Sequence, residues 1–151
     1  MTLILDTTYL LPMSGIGVDT DLLKAAADER IALDMGSISI SMISLFELQA
    51  KVAKLGISAG FAANAVDMIN TVFRVEPFYN SDVIKISQSL LKLLEDYIDC
   101  IIVATAIVLH EDLITEDSRI IANKKTIKEQ YGIGIFTFKD LMKTSANSKA
   151  K

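Results

Sequence analysis

Short, mainly apolar runs that end in acidic residues constrain this chain more than any other feature. The run Leu3–Leu5 is followed by Asp6, and residues 113–115 are followed by Glu116 and Asp117. Runs of this length are typical of buried strands, and segments with the apolar spacing of helices separate them. Strands that alternate with helices predict an α/β fold of three layers, in which helices cover both faces of a mainly parallel sheet of about five strands.

The pattern predicts where these elements lie. Strands are expected at residues 2–5, 37–43, 113–115 and 133–138, and residues 74–78 form either a short strand or an extended connection. Helices are expected at residues 18–31, 44–55, 58–73, 81–94, 97–110 and 118–131, with a last helix from about residue 139. The segment 97–110 is apolar almost all the way round, which predicts a helix buried on most sides. We expect one domain over residues 1–144 and a flexible basic tail at 145–151.

Composition limits the class of protein. With 51% apolar and 23% charged residues in 151, the chain is not intrinsically disordered and can bury a core of its own. Its single cysteine, Cys100, is expected in that core, which fits a reducing cytoplasm. The apolar runs are far shorter than the ~20 residues that cross a bilayer, and the start of the chain does not resemble a signal peptide. We therefore expect a cytoplasmic protein without membrane contact.

Charge is distributed unevenly along the chain. Residues 1–118 contain seven basic and seventeen acidic residues, whereas residues 119–151 contain eight basic and two acidic ones. The basic segment has two interpretations. It forms either an anion-binding edge beside an acidic site, through Arg119, Lys124, Lys125 and Lys128, or an ordinary solvated helix face that continues into the tail.

Four acids from distant segments are predicted to meet at one edge of the sheet. Asp6 and Asp117 follow strands, Glu47 lies in the first turn of the helix after the second strand, and Asp99 begins the buried helix. Ligands of parallel sheets bind at the carboxyl ends of the strands. Each acid also has a local interpretation: Asp6 and Asp117 as caps, Glu47 in a capping box with Ser44, and Asp99 as a complement to a helix dipole.

Such a cluster requires neutralisation. Two unit charges ~5 Å apart repel by roughly 3 kcal/mol at an effective dielectric constant near 20. Either an acid is protonated at neutral pH, or a cation lies among the carboxylates. Oxygen donors without histidine or cysteine favour Mg²⁺ or Mn²⁺ over zinc. The one histidine, His110, lies at the far end of its helix and is interpreted as structural.

These residues resemble the PIN domain, and most closely its compact single-domain form, the VapC toxins of prokaryotic toxin–antitoxin pairs. The resemblance spans Thr2 to about Phe138 and includes Asp6 after an apolar strand and Glu47 early in a helix. Its most specific part is the helix of Asp99, followed by the Thr-x-Asp sequence that ends at Asp117. The resemblance implies a PIN-like fold on a five-stranded parallel sheet. It also implies a Mg²⁺- or Mn²⁺-dependent endoribonuclease, usually a homodimer, that a partner antitoxin keeps silent.

The resemblance assigns roles by position. The acidic catalytic quartet would be Asp6, Glu47, Asp99 and Asp117, and the three aspartates would hold the metal. The resemblance also assigns the hydroxyl residue two positions before the last acid, Thr115. As a mechanistic hypothesis of our own, Thr7, Thr8 and Thr115 either orient these carboxylates or pack and hydrogen-bond locally, and the basic residues Arg119, Lys124 and Lys125 offset the phosphate charge of RNA. The chain departs from the family pattern at Thr8, where the family often has Ser or Asn, and at Glu116, which strand alternation would turn away from the site.

A second hypothesis remains open: a PIN-like domain that has lost activity and serves as a binding or scaffold subunit. A receiver domain or a haloacid-dehalogenase-like phosphatase is disfavoured, because the acids that those folds need beside Asp6 are absent from the sequence. In either remaining case, a dimer or an antitoxin helix would bind exposed apolar residues in the N-terminal half. The candidates are Leu10, Leu11, Pro12, Met13, Phe46 and Phe61, each of which has the alternative interpretation of a core residue.

Overall fold

Five short parallel strands form one central sheet in residues 2–151, the part of the chain that the computed structural model describes. The strands are β1 (Leu3–Leu5), β2 (Ile38–Ser41), β3 (Arg74–Glu76), β4 (Asp112–Ile114) and β5 (Ile135–Phe136). Their order across the sheet is β3-β2-β1-β4-β5, and every neighbouring pair is parallel. The segment 74–78, for which the sequence left two interpretations, therefore contains an edge strand.

Helices cover the sheet. They are α1 (Leu22–Ala27), α2 (Met42–Lys54), α3 (Ala59–Val72), α4 (Ser81–Leu94), α5 (Tyr97–Leu109), α6 (Ser118–Ala122), α7 (Lys124–Tyr131) and α8 (Phe138–Lys149). Two 3₁₀ helices, Thr7–Ser14 and Met35–Ser37, lie between them. Every helix within residues 2–151 is too short or too polar to cross a lipid bilayer.

The central strand β1 is buried on both faces, which is why all three of its residues are apolar. Side chains alternate between the faces of a strand, so Leu3 and Leu5 enter one apolar core and Ile4 enters the other. The first core packs against α1, α2, α3 and α8, and the second against α4, α5, α6 and α7. This confirms the predicted three-layer α/β fold with a parallel sheet.

Helix α5 brings its N-terminus to the carboxyl edge of the sheet. It begins after Asp96, whose Oδ1 accepts a hydrogen bond from the Ile98 amide at 2.8 Å. It ends at His110, which adopts a left-handed conformation with φ 54°. Since β4 follows α5 and runs parallel to β1, the helix must run back across the sheet, and its first turn lies where the strands end.

Several predicted boundaries need correction. The single helix predicted at 118–131 is two helices, α6 and α7, which meet at Asn123, whose side-chain amide donates to the Arg119 carbonyl at 2.9 Å. An amide side chain that bonds to nearby backbone competes with helix continuation. The helix predicted at 18–31 is shorter than expected and covers Leu22–Ala27. The strand predicted at 133–138 contains only Ile135–Phe136.

The segment after Asp6 carries no strong helical pattern, yet it forms the 3₁₀ helix Thr7–Ser14. Asp6 caps this helix, as its local interpretation proposed, and Leu10 and Leu11 are buried in the first core. These two leucines are therefore not the exposed partner contacts that the sequence allowed, whereas Phe46 and Phe61 are 60% and 55% exposed.

The basic tail predicted from residue 145 is also corrected. Helix α8 continues to Lys149, and Ser145 is buried, with its hydroxyl accepting a hydrogen bond from the Ala32 amide at 3.3 Å. This contact fastens the last helix to the loop between α1 and β2, so the tail boundary lies inside a packed helix.

Gly134 offers a test of the packing at the start of β5. A Cβ at this position would lie 2.6 Å from the Phe136 ring and 2.9 Å from Asp112 Oδ1, which itself accepts from the Gly134 amide. We expect Gly134→Ala to lower the free energy of unfolding by about 1–3 kcal/mol, as overpacking does. The measurement is urea denaturation, with Gly17→Ala as the matched control because no atom lies within 4 Å of its added Cβ. Equal stability of the two variants would contradict the argument.

Candidate functional site

A cavity of about 360 Å³ opens at the carboxyl edge of the sheet. Its lining combines residues from four segments of the chain: Asp6, Thr8, Glu47, Lys51, Asp99, Glu116, Asp117 and Ser118. All four predicted acids belong to this lining, although up to 111 positions separate them along the chain. The structure therefore brings the predicted quartet to one rim; the role of each acid remains a prediction.

Asp6 is the most constrained of the four. Its side chain is only 6% exposed, and its Oδ1 accepts a hydrogen bond from the Thr7 amide at 2.7 Å. Its Oδ2 accepts from the Thr115 hydroxyl at 2.6 Å. Burial raises the pKa of the Asp6 carboxyl, these two hydrogen bonds oppose the rise, and the charges of Glu47 and Asp117 add to it. The carboxylate is held in one orientation by two donors.

Thr115 connects Asp6 to Asp117. Its buried hydroxyl donates to Asp6 and accepts from the Asp117 amide at 3.0 Å. Asp117 caps α6, since its Oδ1 accepts from the amides of Arg119 and Ile120 at 3.0 and 2.9 Å. The local interpretation of Asp117 as a cap is thus also realised. The remaining oxygen, Oδ2, carries no hydrogen bond from the rest of residues 2–151.

Glu47 and Asp99 reach the cavity from helices on opposite faces of the sheet. Asp99 lies in the first turn of α5, as predicted. Glu47 lies one turn deeper than predicted, because α2 begins at Met42 after Ser41, and the capping box of Ser44 and Glu47 does not form. No helix-capping contact therefore accounts for the position of Glu47 beside the aspartates.

The predicted supporting threonines differ in their contacts. Thr115 bonds directly to Asp6, and Thr8 lines the cavity. Thr7 supports Asp6 through its backbone amide, while its own buried hydroxyl has no partner within residues 2–151.

Mutual repulsion is visible at Asp99. Its pKa rises from the ordinary 3.8 to about 7, first through burial and then through the charges of Asp117, Asp6, Asp96 and Glu47. None of the four acids of the cavity forms an ion pair with a basic side chain of residues 2–151. Their charge is therefore not neutralised from within the described chain.

The donor set fits a hard divalent cation. Every candidate ligand is a carboxylate oxygen, and Mg²⁺ and Mn²⁺ favour such donors. In residues 2–151, however, no three Asp, Glu, His or Cys side chains are already arranged to hold a metal ion. The four acids share a cavity, but the prediction that they meet within reach of one ion is not confirmed by this arrangement and stays a prediction.

Three residues of the cavity were missed as site residues, namely Lys51, Glu116 and Ser118. Lys51 follows Glu47 by four positions on α2, a spacing that places both on one helix face and could have identified it. Glu116 was expected to turn away by strand alternation, but β4 ends at Ile114, so alternation does not apply to it. Its Oε1 accepts from the Tyr9 hydroxyl at 2.8 Å and from the Phe138 amide at 2.7 Å.

The predicted RNA-binding residues lie elsewhere. The Arg119 guanidinium pairs with Glu95 at 3.1 Å. Lys124 and Lys125 line a separate cavity of about 570 Å³ between α7 and α8, over β5. None of the three is part of the lining of the acidic cavity. A contact between these residues and a phosphate at the acids is therefore not supported by their positions.

Comparison with known proteins identifies the family. The family model described as "PIN domain" matches residues 3–125, more than half of the chain. The chain belongs to the PIN domain family. A search of curated protein sequences gave no match.

Solved structures agree with this PIN domain in fold. FitAcB from Neisseria gonorrhoeae is 19% identical with a TM-score of 0.64, over 93% of this chain and 100% of that one. VapC20 from Mycobacterium tuberculosis, described as a sarcin-ricin loop cleaving toxin, is 16% identical with a TM-score of 0.63, over 80% and 94%. A toxin–antitoxin complex from Klebsiella pneumoniae contains a chain that is 22% identical with a TM-score of 0.58, over 78% and 88%.

Repulsion at Asp99 predicts a pH-dependent gain in stability when its charge is removed. Because its pKa in the folded PIN domain is about 7 and its ordinary value is 3.8, the unfolded chain releases the proton first. The contribution of Asp99 to stability therefore falls as pH rises between these values and is level above them. We expect Asp99→Asn to raise the melting temperature without added metal, with a gain that grows from pH 4 to pH 7. Asp19→Asn, a change at an exposed acid whose charge is not among those that raise the pKa of Asp99, is the control, and a gain independent of pH would contradict the assignment.

The hydroxyl of Thr115 makes two buried hydrogen bonds, so its removal should be costly. We expect Thr115→Val, which keeps the shape of the side chain, to lower the free energy of unfolding by about 1–3 kcal/mol. Thr115→Ser keeps the hydroxyl and should be less damaging. Urea denaturation at neutral pH measures both, and an unchanged midpoint for Thr115→Val would show that the bond to Asp6 is not a stabilising one.

Proposed function

We propose that this PIN domain is a Mg²⁺- or Mn²⁺-dependent endoribonuclease, the toxin of a toxin–antitoxin pair. One observation carries the proposal: four carboxylates from distant segments line a single cavity without a basic partner from residues 2–151. Clusters of this kind are destabilising in themselves, since burial and then the charges of the neighbouring acids raise the pKa of Asp99. The binding of a divalent cation for nuclease activity would explain why the fold contains this unfavourable cluster.

In this proposal the three aspartates Asp6, Asp99 and Asp117 hold the cation. When bound, it would lower the pKa of a water molecule and stabilise charge on the phosphate oxygens. Asp6 is oriented for this role by Thr115 and the Thr7 amide, while Asp117 keeps one oxygen outside its capping contacts. Glu47 accepts the proton of the attacking water, directly or through a second water. The water oxygen would form a bond to phosphorus while the P–O bond opposite it breaks, and the leaving oxygen of the RNA would take a proton from solvent.

RNA is the proposed substrate. The similar VapC20 is described as a toxin that cleaves the sarcin-ricin loop, which is an observation about that protein. The body of this chain is acidic, with seventeen acidic and seven basic residues in 1–118, so non-specific attraction to nucleic acid is weak. We therefore propose that it recognises a particular RNA by shape and by exposed bases.

A partner antitoxin has a candidate binding site on the layer of α2 and α3. An apolar cavity of about 610 Å³ lies between these helices, lined by Val52, Ile57 and Val66 among others. Phe46 on α2 and Phe61 on α3 are more than half exposed. An amphipathic helix that places apolar side chains in such a groove is a common mode of recognition. The similar Klebsiella pneumoniae structure is described as a toxin–antitoxin complex.

The opposite layer offers a face for a homodimer. Ile84 and Leu91 on α4 are 41% and 43% exposed and lie seven positions apart, hence on one side of the helix. Tyr97 at the start of α5 is 41% exposed. We propose that this face pairs with a second copy of the chain.

The scaffold hypothesis keeps one observation in its favour, namely that no three ligands in residues 2–151 are already arranged around a common point. Titration calorimetry with Mn²⁺ separates the two hypotheses. We expect one or two ions to bind the wild-type chain and Asp6→Asn to lose this binding. A wild-type chain that binds no Mn²⁺ and cleaves no RNA would favour the scaffold.

The activity itself is tested on a panel of structured and single-stranded RNAs. We expect cleavage that requires Mg²⁺ or Mn²⁺ and stops with EDTA. Asp6→Asn and Asp99→Asn should each lower the rate by about 10²-fold or more, as loss of a metal ligand or an acid–base group does. Asp82→Asn is the matched control, because Asp82 is an exposed acid on α4 outside the cavity. Full activity in both site variants would refute the assigned roles.

A further inference from the structure

Lys51 lies between two cavities of different chemistry. It lines the acidic cavity together with Asp6 and Glu47, and it also lines an apolar cavity of about 250 Å³. The other residues of the second cavity are Leu11, Ile16, Lys54 and Leu55. The two cavities are therefore neighbours, and the side chain of Lys51 borders both.

The ammonium group of Lys51 is not committed to an internal partner. Although Glu47 lies one turn before it on α2, no ion pair within 4.0 Å joins Lys51 to any acid of residues 2–151. Lys51 is also the one basic residue in the described lining of the acidic cavity. A cation that faces several carboxylates without pairing with one of them is suited to hold an anion that arrives from outside.

The second cavity has the complementary property. Its lining contains two lysines and no acid, and the remaining residues are aliphatic. Lysine side chains cover apolar surface with their methylene stems while the charged ends stay in water. An anionic group beside Lys51 and a flat apolar group against Leu11 and Ile16 would satisfy both parts of this arrangement. A nucleotide combines these two groups, since its phosphate is charged and its base has apolar faces.

We propose that Lys51 and the adjacent apolar cavity form a subsite for one unpaired nucleotide next to the scissile phosphate. Lys51 contacts the phosphate of this nucleotide, and its base lies in the cavity of Leu11, Ile16 and Leu55. The inference rests on the proposed function, because the scissile phosphate is at the acids only if the chain is a nuclease. It adds a substrate requirement: the RNA must be single-stranded at this position, since a paired base cannot enter.

The order of the elements explains why these groups lie together. The 3₁₀ helix Thr7–Ser14 starts directly after Asp6 and supplies Leu11, while α2 carries Glu47 and Lys51 and is followed directly by Leu55. A strand of RNA that passes from the acids along α2 meets Lys51 before the aliphatic residues. The lysine cavity between α7 and α8 shares no lining residue with either cavity, so it is a poorer candidate for this contact.

The first test uses a single-stranded RNA that spans a cut made by the wild-type chain on the panel described above. We expect Lys51→Ala to raise KM about five-fold with little change in kcat, the effect of one partly exposed ionic contact. The slope of log kcat/KM against log salt concentration should become shallower by the contribution of about one phosphate contact. Lys51→Arg should restore KM, and Lys54→Ala, which removes a lysine from the apolar cavity alone, should change it less.

The second test examines the base. For the wild type, KM should be higher for an RNA with an abasic nucleotide beside the cut than for the intact RNA. For Leu55→Ser, KM should be the same for the two RNAs. Leu55 is 63% exposed, so this change should leave the fold intact, and melting temperatures of all variants check this.

The outcomes are distinguishable. If the wild type cleaves RNA and Lys51→Ala has an unchanged KM and salt dependence, the subsite proposal is wrong and the nuclease proposal is retained. The apolar cavity would then bind a protein segment instead of a base. A fall in kcat at constant KM would also overturn it, because Lys51 would then act in the chemical step. If the wild type cleaves no RNA, both proposals fall.

Discussion

The hydrogen bond from the Thr115 hydroxyl to Asp6 joins the ends of the two central strands, and the geometry of the site depends on it. At 2.6 Å and fully buried, it fixes one oxygen of a carboxylate whose burial would otherwise favour the protonated form. The same hydroxyl accepts from the Asp117 amide, so the loop after β4 is set relative to the end of β1. Because β1 and β4 are neighbours in parallel register, such a link is available only at the carboxyl edge.

Around this link the fold accumulates negative charge that it does not neutralise. Asp6 and Asp117 follow strands β1 and β4. Glu47 and Asp99 lie on helices that cover opposite faces of the sheet. Isolated buried charges are among the most costly features in a protein. The pKa values of Asp6 and Asp99 are raised because burial and neighbouring charges make their ionised forms unfavourable. Sites with strongly perturbed acids in a cavity are candidates for function on this physical ground, independently of any relative.

Much of the fold was predictable because it rests on local patterns. The apolar runs of the sequence predict the buried strand at Leu3–Leu5 and the helix α5. The parallel order of the strands then brings the acids to one edge of the sheet. The 3₁₀ helix Thr7–Ser14 was not predictable from periodicity, since its tertiary burial of Tyr9 and Leu10 fixes it. Glu116 was misjudged because strand alternation was extended past the end of β4.

The basic C-terminal segment shows a limit of charge counting. Its lysines were considered together as one edge beside the acids, but charge along a sequence carries no information about which face a side chain reaches. The break at Asn123 separates α6 from α7, so Arg119 pairs with Glu95 while Lys124 and Lys125 line a different cavity. Lys51, which lies outside this segment on α2, lines the acidic cavity instead.

The position of a charged residue on a helix therefore predicts its place in the site better than the number of charges in a segment does. A lysine four residues after Glu47 necessarily shares its face, whereas eight basic residues beyond position 118 have no such tie to the acids. Under the function proposed above, one cation between the carboxylates and an apolar cavity would attract RNA only where a nucleotide fills that cavity. Selectivity would then follow from the scarcity of positive charge at the site, because an RNA that does not fill the neighbouring cavity would gain little from Lys51 alone.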